Sequence, residues 1–113
     1  MYFEAERFIS RVFDACYSVW TDKQKFDAGD VIDKLALPKA PDNDGDYWQK
    51  KNVTDSLNVL ERARFISGQV QPEYTKNFRL LVEKRHGQIT TLGKILKHLP
   101  PIIRCFIIFL YLQ

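Results

Sequence analysis

Apolar residues return every three or four positions near the start of the chain, at Ala5, Phe8, Ile9, Val12, Phe13, Cys16 and Trp20. That spacing predicts a helix over residues 3–20 with one side in a core. Glu4, Arg7, Arg11, Asp14 and Ser18 mark its solvated side, and Thr21 to Lys25 reads as a polar connector. A second, shorter helix is expected within Phe26 to Leu37. Asp27 can cap it, Asp30 favours its positive end, and Val31, Ile32 and Leu35 form its buried stripe. Leu37-Pro38 ends it, and Phe26 is expected in the core just ahead of it. Residues 38–46, PKAPDNDGD, carry loop signals throughout.

The third helix is expected to start at Gly45 or Asp46, with Tyr47 and Trp48 in its first turn. Its informative stretch is Lys50 to Ile66, KKNVTDSLNVLERARFI. Val53, Leu57 and Leu60 fall at i, i+4 and i+7, one narrow buried stripe, and Phe65-Ile66 follow with strand character. Lys50, Lys51, Asn52, Thr54, Asp55, Asn58 and Arg62 are assigned to the outward side. Beyond them, Phe65 to Val70 and Phe78 to Val82 read as strands flanking a polar connection at 71–77. A second turn at 83–87 precedes Gln88-Ile89, a candidate third strand. Either turn could be the tip of a hairpin. Thr90 or Thr91 then caps a helical pattern with Leu92, Ile95, Leu96 and Leu99 on one face and Lys94 and Lys97 on the other. Pro100-Pro101 breaks or kinks it. The tail, IIRCFIIFLYLQ, is apolar nearly all round except for Arg104, and so needs a cover. That cover is either the first helix or a partner chain.

Composition changes this picture in one respect. The chain has 113 residues, 45% hydrophobic and 27% charged, the proportions of one ordinary globular domain. The net charge is only +3. Residues 1–46, however, carry 6 Lys/Arg against 10 Asp/Glu, and residues 47–113 carry 11 against 4. The basic surplus begins with the third helix and favours an anionic partner for the second half. Cys16 and Cys105 lie inside apolar patterns and read as reduced core or interface residues. Glu4, Glu6 and Arg7 interrupt any early apolar run, so no signal peptide is expected, and the apolar C-terminal run is too short for a membrane span.

Little in the chain suggests catalysis. No Gly-rich phosphate loop or metal-spaced histidine pair occurs, and His86 and His98 are isolated. Asp42, Asp44 and Asp46 alternate as at the start of a calcium loop, but Val53 stands where that loop needs glutamate. A nucleic-acid reading has more support. Lysine and arginine on an exposed helix neutralise phosphates, and asparagine can pair with adenine in the major groove. Asp55 at the centre of that face either accepts from cytosine or repels phosphate.

Lys50 to Ile66 resembles the recognition helix of the E2-factor and dimerisation-partner transcription factors, whose winged helices share R-R-x-Y-D followed closely by N-V-L. Asp55 matches the aspartate, and Asn58-Val59-Leu60 match N-V-L. Lys51 and Asn52 replace the base-reading arginine pair, and Thr54 replaces the tyrosine, which alters guanine reading. The likeness is close over residues 50–66 and looser from Phe26 onward. It implies DNA binding and pairing with a second chain. ITTLGKILKHL also resembles the segment in which repressors of the multiple-antibiotic-resistance family pass from wing to dimerisation helix.

The expected fold is therefore α+β: a winged helix-turn-helix over residues 1–113, with three helices, a β-hairpin wing, a C-terminal helix, and an apolar interface segment at 100–113. The nine-residue loop at 38–46 is long for such a turn, typically 3–4 residues. The expected function is DNA binding, as a transcription factor or the DNA-binding subunit of a nuclear or chromatin assembly. The alternative is an interaction module without DNA readout. Double-stranded DNA would meet Lys50, Lys51, Asn52, Thr54, Asp55, Asn58, Arg62, Lys76, Arg79, Lys84 and Arg85. A same or different partner chain would meet Ile102, Ile103, Phe106, Ile107, Phe109 and Leu110. No catalytic residue, metal, cofactor, small-molecule substrate or membrane is expected, and the location is nucleus or cytoplasm.

Overall fold

The computed structural model describes residues 3–68 and 87–112. Helix α1, Glu4–Lys23, runs into the stretch expected as a connector. The Thr21 hydroxyl donates back to the Tyr17 carbonyl at 2.8 Å, so its polar group is satisfied within the helix. Gln24, in the left-handed region at φ 62°, ends it. Ile9, Val12, Phe13, Ala15, Cys16 and Val19 are buried, whereas Ala5 is exposed. Helix α2, Ala28–Leu35, starts with a reciprocal capping box. Asp27 accepts from the Asp30 N–H at 2.7 Å, and Asp30 accepts from that of Asp27 at 3.3 Å. Phe26 is fully buried, as expected.

Helix α3, Asn43–Arg62, begins inside the expected loop. The alternating aspartates explain why. Asp42 caps the helix by accepting from Gly45 N–H at 2.7 Å, and Asp44 and Asp46 occupy the first turn, where the helix dipole favours carboxylates. The far end closes in a Schellman motif. Phe65 N–H donates to the Leu60 carbonyl and Arg64 N–H to that of Glu61, each at 3.0 Å, with Arg64 left-handed at φ 65°.

Strand β1, Ile66–Ser67, pairs antiparallel with β2, Gln88–Ile89, placing Ile66 opposite Ile89 and Ser67 opposite Gln88. Phe26 bridges Gly87 beside them. Thr90 caps α4, Thr91–Lys97, accepting from Gly93 N–H at 3.0 Å while donating to the Arg64 carbonyl. The proline pair then separates α4 from α5, Pro101–Tyr111, with Pro101 at the first helical position, where its missing N–H costs nothing.

These elements correct the expected fold. The described residues form five helices with strands of only two residues, a mainly helical architecture in place of an α+β winged helix with three helices, a hairpin wing and one C-terminal helix. Part of the reason is local. Pro100-Pro101 makes two helices from one apolar pattern, and Asp42 moves the start of α3 back from Gly45-Asp46 to Asn43. The strand expected at Phe78 to Val82, the turn at 71–77 and residues 83–86 of the second turn lie outside the described residues, as do Lys76, Arg79, Lys84, Arg85 and His86. α1 is the central element and packs against α2, α3, α5 and β2. With Phe26 and with Leu96 of α4, their buried side chains form one apolar cluster around Phe13, Leu57, Leu60 and Ile108.

Candidate functional site

Two surfaces carry the expected site residues, the outward stripe of α3 and the outer face of α5. On α3, Val53, Leu57 and Leu60 are buried as the spacing predicts, but Thr54, Ser56 and Val59 are buried as well. Burial on three sides leaves a narrow exposed strip. Thr54 is corrected from the outward side to the inward one, its hydroxyl donating to the Lys50 carbonyl at 3.0 Å. Asn58 is half-buried, and its Oδ1 is enclosed without a hydrogen-bond partner among the described residues. Asn52, Asp55 and Arg62 are exposed.

Lys50 and Lys51, expected on the outward side, are half-buried, and both are already answered by carboxylates one turn away. Lys50 meets Asp46 at 2.9 Å, and Lys51 meets Asp55 at 2.7 Å. The hydrogen bond to Asp55 holds the Lys51 ammonium above its usual range. Over its length α3 carries Lys50, Lys51 and Arg62 against Asp44, Asp46, Asp55 and Glu61. The helix expected to face phosphates therefore has no net positive charge.

α5 lies along α1. Arg104, Cys105 and Ile108 are buried, and Phe3 contacts both Phe106 and Phe109 edge-on, with ring centroids 4.9 and 6.2 Å apart. Of the six expected interface residues, Ile102, Ile103, Phe106 and Leu110 are exposed together on the outer side. Ile107 and Phe109 are half-buried, Ile107 packing against the core and Phe109 against Phe3, so these two are corrected to partly inward positions. Leu92 and Ile95 of α4 are also exposed, where one shared face with Leu96 and Leu99 was expected.

Arg104 is the residue that pattern reading passed over. Its guanidinium donates to Asp14 at 2.9 Å, Ser10 at 3.3 Å, and the carbonyls of Lys97 at 2.8 Å and Leu99 at 3.3 Å. Lys97 reaches the same Asp14 oxygen at 2.9 Å. One charge inside an otherwise apolar tail was the available signal. It marks the side of α5 that faces α1 and leaves the other side without charge.

Both cysteines are buried and free, and among the described residues no cluster of histidine, cysteine, aspartate and glutamate could hold a metal. No described helix is long and apolar enough to cross a membrane. No protein-family model, curated protein or solved structure matches this chain.

Proposed function

We propose that this chain is a protein–protein interaction module that docks a partner through the outer face of α5. The observation that carries this reading is the exposed row of Ile102, Ile103, Phe106 and Leu110 on a helix whose one charged residue is turned inward. Apolar surface gathered in this way marks a contact site more often than scattered exposed residues do. The internally paired charges of α3 support the same choice, because a helix with four acids and three bases gives phosphates little to bind.

A second reading, contact with double-stranded DNA along α3, is favoured by the outward Asn52 and by Arg62, which forms no ion pair with the described residues. Salt separates the two. Native purification followed by light scattering should give a particle heavier than the 13.3 kDa chain. That particle should persist as ionic strength rises from about 0.1 to about 1 M, since apolar burial is insensitive to counterions while phosphate contacts are not. Ile103→Glu or Leu110→Glu should dissolve it. Co-purifying nucleic acid released by salt, with both variants behaving as wild type, would transfer the function to α3.

A further inference from the structure

Resting on that reading of α5, we infer that Arg104 and Asp14 are the positioning pair that turns the apolar row outward, and that breaking their contact lets α5 turn about its own axis and hide the row. The two sides of α5 stand in the reverse of the order that apolar burial alone would choose. Arg104, only 7% exposed, faces the core with Cys105 and Ile108, while Phe106 at 54% and Leu110 at 70% face water. Phe106 and Leu110 each lie two positions from Ile108, about 200° around a helix of 3.6 residues per turn, so the two sides are opposite. A half-turn would bury a phenylalanine and a leucine and return a cation to water, and both changes are favourable in themselves. Something other than apolar contact holds the helix as it stands.

Arg104 supplies that hold. Among the described residues, every hydrogen bond from α5 to α1 or to the end of α4 is made by its guanidinium. On α1 it reaches Asp14 at 2.9 Å and Ser10 at 3.3 Å, and beyond α4 it reaches the carbonyls of Lys97 at 2.8 Å and Leu99 at 3.3 Å. Its central carbon stands 6.0 Å from the centre of the Phe13 ring. Asp14 is the anion of this cluster and also receives Lys97 at 2.9 Å. A planar guanidinium engaged on several edges fixes the rotation of its helix, whereas the apolar contacts of Cys105 and Ile108 carry no direction. The joint imposes no rotation of its own. Pro100 is extended, at φ −59° and ψ 149°, and no backbone hydrogen bond among the described residues joins α4 to α5.

Thiol labelling of the purified chain tests this with one probe on each side. Cys105 marks the inner side, and Leu110→Cys in a Cys105→Ala chain marks the outer one. With Asp14 intact, Cys105 should resist an aromatic disulfide reagent and the thiol introduced at position 110 should react freely. Asp14→Asn leaves the buried cation without its counter-charge. Cys105 should then react about 100-fold faster or more, while the thiol at position 110 becomes protected. Mass spectrometry distinguishes Cys105 from the buried Cys16. Asp14→Glu, which keeps the carboxylate, should keep the wild-type pattern. If both probes react in Asp14→Asn, α5 detaches, and if neither changes, packing alone chooses its face; either result overturns the inference. Should circular dichroism show Asp14→Asn unfolded, Arg104→Lys keeps the charge but not the fork and carries the same two probes. The docking reading is followed separately through the heavier particle, which Asp14→Asn should also dissolve. Labelling as expected with the particle intact upholds the positioning pair and removes α5 as the docking face. Unchanged labelling with a particle dissolved by Leu110→Glu keeps the docking face and overturns the pair.

Discussion

Cys16 sits on the inner side of α1 with none of its surface exposed, and burial pushes its thiol far above the ordinary cysteine range. In the unfolded chain that proton leaves near 9.0, whereas in the folded chain it stays. A raised folded value means that the stabilisation is complete below the unfolded value and declines as pH rises past it. The decline is about 1.4 kcal/mol for each pH unit while the folded thiol remains protonated. Urea unfolding of wild type and Cys16→Ala, each at neutral pH and at about pH 10, isolates this residue from every other group that titrates there. The variant, weakened at neutral pH by its cavity, should lose less stability on going to alkali. Equal losses would mean that the Cys16 thiol ionises in the folded protein much as it does in the unfolded one.

At the scale of elements, the joint between α4 and the short sheet is the most constrained. A Cβ on Gly93 would overlap the Phe65 carbonyl oxygen and lie 2.9 Å from a methyl of Ile89. Helix propensity alone gives alanine an advantage of about 1 kcal/mol at such a position. The clash is with backbone, which cannot rotate away, so Gly93→Ala should instead destabilise by about 1–3 kcal/mol. A thermal midpoint that rises in this variant would mean that α4 stands further from Phe65 than the structure places it. Steric limits of this kind were not legible in the chain, where Gly93 reads only as a weak point in a helix. Periodicity did reveal the buried stripe of α3 at Val53, Leu57 and Leu60, the buried Phe26 and the cap at Asp27, because each is written in neighbouring residues. It misplaced Thr54, whose hydroxyl satisfies itself against its own helix and so tolerates burial. It also treated the aspartates of 42–46 as loop, although the same side chains that favour loops initiate helices. For the candidate site, an uncovered tail could be read from composition, but which side stayed open depended on Arg104 meeting Asp14, a contact between residues 90 apart.

For the whole molecule, the decisive arrangement is that one helix touches nearly everything. α1 supports α2, α3, α5 and β2, and Phe13 stands at its centre, fully buried, with the Tyr17 ring 6.1 Å away and the Arg104 guanidinium 6.0 Å from its own ring. Removing that ring therefore undermines the core and the seat of α5 together. Phe13→Ala should cost about 3–5 kcal/mol, a large share of the roughly 5–15 kcal/mol by which a domain exceeds its unfolded state. Because the elements share one core, the loss should appear as a single earlier transition, with helical circular dichroism and tryptophan fluorescence changing together. Leu110→Glu lies at the opposite extreme: its side chain is mostly in water, and it should alter the unfolding of the monomer by no more than about 0.5 kcal/mol. The contrast separates residues that hold the module together from those it presents. If α5 melted first in Phe13→Ala, with α1 to α3 retaining their signal, the C-terminal helix would be an appendage on the core instead of one wall of it.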